Sequence, residues 1–359
     1  MNKEDLFRGC LIGGAAGDAL GYTVEFWGER EIFREYGSRG ITAYEKARGL
    51  ARISDDTQMT MFTAAGLIKG EPYAVNVYRS YLDWLGTQER DADVLRGHRP
   101  ATWLSGAEGL YARRAPGGTC LSALRSGAMG TMDKPLNNSK GCGGVMRSAP
   151  AGLIAGSDEK AEERAALLGA QVSVITHGHP LGYLPGAALA HIVWQLTHSE
   201  NSSVRKAAAD TADVLQALFA GDAYLPRFLE TMKKAVELAD NGLTDLENIH
   251  ALGEGWVGDE ALFIGLYCAV RYSEDIDSAL IAAVNHRGDS DSTGAVAGNI
   301  VGAHLGMSGI PEKYTKDLEL TDEILTLADD LLRYDHDAQM NEAVKSDPEW
   351  VRKYCVSEI

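Results

Sequence analysis

Residues 1–21 read MNKEDLFRGCLIGGAAGDALG, and the fold class follows from how they are read. Leu6, Phe7, Cys10, Leu11 and Ala15 recur at i, i+3 and i+4, the repeat of one helix face. Gly13, Gly14, Gly17 and Gly21 resemble a dinucleotide loop, yet they follow no strand and lie inside the helical repeat. Small residues in that setting predict a helix packed closely against another. The same spacing returns in Leu184, Ala187, Ala188, His191 and Trp194, and in Leu225, Phe228, Leu229, Met232, Ala235 and Val236. Stretches 59–68, 259–271, 275–286, 292–304 and 321–332 read alike, and sustained period-two alternation is hard to find. The prediction is an all-α fold, a single compact domain of ten or more helices.

Composition bounds the function. The chain has 359 residues, 45% hydrophobic and 24% charged, enough apolar material for a large core. Length alone would suggest two domains, but no composition shift marks a hinge. Pro and Gly cluster around 97–119 and 134–156, which read as long loops, usually functional or disordered. The net charge of −17 repels phosphate backbones and anionic lipid, so neither a nucleic-acid nor a membrane partner is expected. A small anion held by metal or backbone amides remains compatible. The first residues lack a basic n-region, and no apolar run is long enough to span a bilayer. Five scattered cysteines without a C-x-x-C pair indicate neither a disulfide frame nor a cysteine zinc site, and the expected location is cytoplasmic.

Two acidic segments carry the chemistry. Ser54-Asp55-Asp56-Thr57-Gln58 precedes the apolar run 59–68, and Gly288-Asp289-Ser290-Asp291-Ser292-Thr293-Gly294 precedes 295–305. Ser, Thr and Asp are preferred helix caps, and a capping role accounts for one aspartate in each segment. It does not account for four carboxylates in two tight clusters, which repel unless a cation neutralises them. An all-oxygen donor set suits Mg²⁺, Mn²⁺ or Ca²⁺, and four carboxylates with hydroxyls suffice for two ions. Asp18 and Glu25 are further acidic candidates, at the site or at the surface.

The glycine-rich runs Pro116-Gly117-Gly118-Thr119 and Gly141-Cys142-Gly143-Gly144-Val145-Met146-Arg147 precede plausible helices. Each is either an ordinary turn or a loop whose amides converge on a phosphate. Neither a P-loop string nor a G-x-S-x-G elbow occurs. In Thr176-His177-Gly178-His179-Pro180 no third nitrogen ligand is near, so His177 is read as a polar ligand contact rather than a metal ligand.

Taken in order, GDALGYTVEF (17–26), SDDTQMT (54–60), APGGTCLSAL (115–124), GCGGVMRSAP (141–150), ITHGHP (175–180), GWVGDEAL (255–262) and GDSDSTGAVAGNIVGA (288–303) resemble the ADP-ribosylglycohydrolases. Within that family the motifs resemble the bacterial branch that includes the dinitrogenase reductase-activating glycohydrolases. The resemblance implies one domain over 1–335, with 336–359 a C-terminal extension of unknown role. It implies a binuclear Mg²⁺ or Mn²⁺ centre held by Ser54, Asp55, Asp56, Asp289, Asp291 and Ser292, two of them serines where several relatives carry threonine. Glu25 and Asp56 would be catalytic. Gly118 and Thr119 would bind the diphosphate, Gly141, Cys142, Gly143 and Gly144 would run along the nucleotide, and His177 would touch the ligand. Cys142 stands where asparagine is common.

The implied activity is hydrolysis of the bond between ADP-ribose and a protein side chain, foremost arginine. Metals would grip the 2″- and 3″-hydroxyls and orient C1″ for attack by water. Carboxylates would stabilise the oxocarbenium-like charge at that carbon. Other readings are a hydrolase of serine-linked ADP-ribose, poly(ADP-ribose) or O-acetyl-ADP-ribose, and an immunity protein neutralising a cognate ADP-ribosyltransferase toxin. A non-catalytic ADP-ribose binder fits less well, since a binder need not keep every metal ligand.

Overall fold

The glycines of the first helix lie against glycines of the last long one, and the molecule is arranged around that contact. The computed structural model describes residues 2–89, 92–200 and 202–356; the last three residues of the 336–359 segment lie outside them. Nineteen α-helices occur among the described residues. They are α1 (Lys3–Gly21), α2 (Glu29–Tyr36), α3 (Asp55–Ile68), α4 (Tyr73–Gln88), α5 (Gly118–Arg125), α6 (Ala149–Leu153) and α7 (Ala161–Val174). Then come α8 (Pro180–His198), α9 (Val204–Leu218), α10 (Leu225–Leu238), α11 (Asp245–His250), α12 (Gly258–Arg271), α13 (Ile276–Val284) and α14 (Ser290–Leu305). The series ends with α15 (Glu312–Thr315), α16 (Thr321–Arg333), α17 (His336–Gln339), α18 (Glu342–Lys345) and α19 (Pro348–Tyr354). A single antiparallel hairpin, β1 (Lys46–Ala47) with β2 (Leu50–Ala51), is the one sheet among the described residues. The all-α expectation holds.

Helices α1 and α14 run antiparallel with their backbones touching. Gly9 faces Gly302, Gly13 faces Gly298 and Gly17 faces Gly294. A Cβ placed on Gly13 would lie 2.4 Å from the Gly298 carbonyl oxygen, and one on Gly298 only 1.9 Å from that of Gly13. The Asn299 amide closes the seam by donating to the Cys10 carbonyl oxygen (2.8 Å). This packing brings the C-terminal end of α1, with Asp18 and then Glu25, to the N-terminal end of α14, with Asp289 and Asp291.

Helices α1, α3, α8, α12 and α14 are buried on nearly every face, whereas α9, α10 and α16 bury one stripe. The apolar period marks α1, α3, α8, α10, α12, α13, α14 and α16. It misses α7 and α9, whose buried stripes are rich in Ala with Gly, Ser and Thr, α4, whose buried Val77, Tyr81, Leu82, Trp84 and Leu85 are interleaved with Asn76, Ser80, Asp83 and Thr87, and α2, which buries only Ile32. The final helices lie against the body. Tyr73 Oη hydrogen-bonds His336 Nδ1 (2.8 Å), Trp350 Nε1 donates to the Ile68 carbonyl (3.1 Å), and Tyr354 Oη donates to Asp330 (2.6 Å).

The α1–α14 seam is directly testable. Gly298→Val drives a branched side chain into the α1 backbone, which cannot rotate away. The expected loss is at least ~2 kcal/mol, at the upper end of overpacking costs, read as a lower thermal midpoint, whereas Gly221→Ala, with open space around its Cα, leaves the midpoint nearly unchanged. A Gly298→Val protein melting with the wild type would refute the seam.

Candidate metal centre and ligand cleft

Three chain segments bring carboxylates to the floor of one cleft of about 300 Å³. Glu25 arrives on the turn after α1, Asp55 and Asp56 in the first turn of α3, and Asp289 and Asp291 at the start of α14. All five line the cleft and are buried.

The capping alternative resolves differently at the two helices. Ser54 is the N-cap of α3, its Oγ accepting the Asp56 amide (3.1 Å). Asp289 occupies the N-cap position of α14 but makes no capping bond. Its carboxyl instead meets Asp291 and the Cys142 thiol, so it is available to the cleft. Asp291 caps locally through the Ser292 amide (3.0 Å), and the Ser54 hydroxyl also bonds it.

Carboxylate oxygens of Glu25, Asp289 and Asp291 all lie within 4.8 Å of one another. Glu25, an acidic candidate that the resemblance makes catalytic, is therefore also part of the ligand-spaced cluster. Asp56 joins through Ser292, whose Oγ donates to Asp56 Oδ2 (2.8 Å). Glu25 Oε2 is buried and finds no donor among the described residues. An orphaned carboxylate oxygen inside an all-oxygen cage lacks positive charge, which a hard divalent cation supplies. The residues present fit such a group.

Electrostatics agree. Burial first, then repulsion from Asp291, Asp289 and Asp55, pushes the Glu25 carboxyl up to about 10. Burial and neighbouring aspartates hold Asp55, Asp56 and Asp289 well above the carboxylate range. Asp18 does not line the cleft. Its carboxylate accepts the Ser54 amide on both oxygens (3.0 Å), the Thr57 amide (3.1 Å) and the Thr57 hydroxyl. It thus clamps the N-terminus of α3, and burial with repulsion from Asp291 raises it to about 7.

The walls come from the glycine loops. Asp55 Oδ2 accepts the Gly117 amide (3.1 Å), tying Pro116–Thr119 to the acidic floor. Gly118, Thr119, Gly141, Cys142, Gly143 and His177 all line the cleft. Gly144 and Ser54 do not. A Cβ on Gly144 would strike the Gly182 carbonyl oxygen at 2.2 Å, so that glycine serves the approach of α8. His179, not His177, caps a helix, with Nδ1 accepting the Leu181 amide (3.0 Å). Burial and the charge of Arg147 push the His177 ring down to about 3, so it is neutral.

Several contributors escaped the sequence reading. Ser139 joins the two glycine loops, through Thr119 Oγ1 (3.2 Å) and the Gly141 amide (3.3 Å). Phe26 and Trp256 stack at the mouth with ring centroids 6.0 Å apart, and both line the cleft. Both lay inside quoted motifs, but their exposure is a tertiary fact.

A family model described as ADP-ribosylglycohydrolase matches residues 1–340. The chain belongs to the ADP-ribosylglycohydrolase family. As a member it is a hydrolase of ADP-ribose linkages. It is 27% identical to ADP-ribosyl-[dinitrogen reductase] glycohydrolase of Rhodospirillum rubrum, over 88% of this chain and 91% of that protein. It is 28% identical to ADP-ribosylhydrolase ARH3 of Homo sapiens, over 91% and 93% of the two chains. A solved structure titled "ADP-ribosylglycohydrolase-related protein complex" shares the fold with a TM-score of 0.61 and 20% identity, covering 92% of this chain and 98% of its own. No helix of the described residues is long and apolar enough to cross a membrane.

Protons and cations compete for these carboxylates. Because the folded-state values are raised, the cluster's contribution to stability is present at low pH and lost as pH rises through them. A cation removes that loss. Adding Mg²⁺ or Mn²⁺ to chelator-treated protein is expected to raise the melting temperature, by about 2.7 kcal/mol of stability at a hundredfold excess over Kd. The rise is larger at pH 7.5 than at pH 5 and is mostly lost in Asp291→Asn. A melt insensitive to both cations at pH 7.5 contradicts the site.

Proposed function

We propose that this chain removes ADP-ribose from modified protein, with arginine-linked ADP-ribose as substrate and two divalent cations, Mg²⁺ or Mn²⁺, at the acidic floor. The observation that carries the reading is the convergence of Glu25, Asp55, Asp56, Asp289 and Asp291 under two glycine loops in one cleft. Carboxylates alone would repel an anion such as ADP-ribose. Carboxylates holding cations, beside amides free to meet phosphate, accept it.

In this reading Asp55, Asp56, Asp289 and Asp291 hold the cations, with the hydroxyls of Ser54 and Ser292 completing or bracing the set. Bound cations would supply Lewis-acid charge for the vicinal ribose hydroxyls and lower the pKa of nearby water. Gly118 and Thr119 bind the diphosphate, and Gly141, Cys142 and Gly143 flank the nucleotide. The Cys142 thiol, raised well above its ordinary range by burial and Asp289, stays protonated and donates to that carboxylate in place of an amide side chain. Glu25 takes the proton from the attacking water. Cations held by the neighbouring aspartates would offset the repulsion that keeps its carboxyl protonated, leaving a carboxylate able to accept that proton, and its Oε2 has no hydrogen-bond partner among the described residues. Asp56 stabilises positive charge developing at that carbon.

Arginine is favoured over serine by the cleft mouth. Phe26 is 71% exposed and Trp256 40%, an arrangement unusual for large aromatics unless something covers them. Their faces beside Glu25 and Asp289 suit a planar, weakly hydrated guanidinium. Trp256 is held in register by its carbonyl, which accepts the Cys142 amide (3.3 Å).

Incubation with arginine-, serine- and acetyl-linked ADP-ribose, with each metal, tests the reading. Arginine-linked substrate is expected to release free ADP-ribose fastest, and no release from any substrate with either metal sinks it. Glu25→Gln should lower kcat by about 10²-fold while ADP-ribose binds within a few-fold; near-normal kcat would pass the role of base to Asp56. Trp256→Ala should raise KM several-fold, the scale of a lost cation–π contact, for the arginine linkage and little for the serine linkage. Equal effects on both linkages argue against a guanidinium subsite.

A further inference from the structure

Behind the cleft wall lies a guanidinium without an anionic partner among the described residues. Arg147, on the turn that follows Gly143 and Gly144, is completely buried. Its donors go to the Val172 carbonyl (3.3 Å), the Thr176 hydroxyl, and the sulfurs of Met59 (3.2 Å) and Cys120 (3.4 Å). Its guanidinium lies 4.6 Å from the Tyr81 ring centroid, and Nε finds no acceptor. None of these partners is an anion. Burying an uncompensated charge is costly, and an apolar residue of similar volume would fill the space more stably. The consequence of the charge lies one bond further on.

Guanidinium groups have donors only. Arg147 Nη2 therefore donates a hydrogen bond to Thr176 Oγ1, and the threonine oxygen accepts it. The hydroxyl of Thr176 retains one proton, and two groups are placed to accept it, His177 Nδ1 at 2.9 Å and the Cys120 sulfur. A ring nitrogen is a far better acceptor than the thiol sulfur also nearby. With Nδ1 accepting, a neutral imidazole must carry its proton on Nε2. That edge faces the glycine loop: a Cβ on Gly141 would lie 3.3 Å from Nε2, and on Gly143 3.2 Å. Both glycines line the cleft with His177.

We propose that Arg147 and Thr176 are positioning residues that lock His177 in its Nε2–H tautomer, making the ring a standing hydrogen-bond donor to an acceptor oxygen of the bound ligand. The lock itself needs no ligand; its use in binding rests on the reading that ADP-ribose occupies this cleft. A ring locked this way cannot accept a proton from substrate, so it binds and does not act as a base. A histidine free to swap tautomers would spend part of its time presenting a lone pair to the ligand's oxygen.

Long-range ¹H–¹⁵N spectra of the histidine-labelled full chain test the lock, with His177 assigned by its loss in His177→Phe. The expected wild-type signature is Nε2–H, unchanged from pH 5 to pH 8. Thr176→Val, nearly isosteric, should shift the ring toward the Nδ1–H tautomer, with the fold retained and the melting temperature lowered by the acceptor that Arg147 loses. The same variant should weaken ADP-ribose binding and raise KM about tenfold with kcat little changed, and Thr176→Ser should restore both. Arg147→Lys, which keeps a charged donor, should retain the Nε2–H signature if it folds. A wild-type Nδ1–H signature, or a Thr176→Val protein with the wild-type tautomer, overturns the proposal. A correct tautomer with no ADP-ribose binding in calorimetry would instead count against the ligand reading and leave the lock standing.

Discussion

Backbone-to-backbone contact between two glycine-bearing helices is the constraint on which the rest of the molecule depends. Side chains at Gly13, Gly17, Gly294 or Gly298 would hold α1 and α14 apart by the width of a methyl group or more. The carboxylates of the candidate metal centre sit at the same end of that seam. Separation there would carry Glu25 away from Asp289 and Asp291, whose oxygens now lie within 4.8 Å. A ligand-spaced cage tolerates far less displacement than a hydrophobic core does. Helix packing and site geometry are thus one requirement, met by the same residues.

The site is also the costliest part of the fold. Five carboxylates share a buried floor, and every one is raised from its ordinary range. Part of that charge is offset by the N-termini of α3 and α14, whose dipoles point into the floor. Asp18, Ser54 and Thr57 hold the start of α3 in place from behind. Helix ends and a clamp do not neutralise five acids, which is why the cluster reads as a cation site and not as structural acid. The same logic explains how a chain of net charge −17 admits an anionic ligand. Loop amides and the charge of Arg147 lie around the acidic floor, and cations held there would reverse the local sign of the field.

The segments that close over this floor are mostly irregular, interrupted by the start of α5 and a single 3-10 turn at Cys142–Gly144, yet they are well tethered. Asp55 holds Gly117, Ser139 bridges Thr119 and Gly141, and Asn137 accepts the Ser139 and Gly178 amides (3.0 and 3.2 Å). Loops pinned by side chains at several points are pre-organised for a ligand, which reduces the entropy lost on binding. The aromatic pair at the mouth is the exception, being held chiefly through the backbone of Trp256 and open to whatever the ligand is attached to.

Residue spacing alone determined the helices with strong apolar stripes, the close packing expected of the first glycine run, and both acidic segments, because each is a local property of a few neighbouring residues. It could not separate capping from coordination, since the same serine and aspartate serve either. Which of them cap was decided by the directions the side chains take in the folded chain: Ser54 caps, Asp289 does not. Nor could it tell that Asp18 braces, that Gly144 spaces α8, or that Glu25 stands among the ligand-spaced acids. Arg147 lies inside a motif quoted for its glycines, and its burial without a counter-charge leaves no trace in composition. These are outcomes of segments far apart in the chain meeting; Ser292 bonds Asp56 across 236 positions. Periodicity is set within a turn of helix, and a site of this kind exists only once distant turns have been packed together.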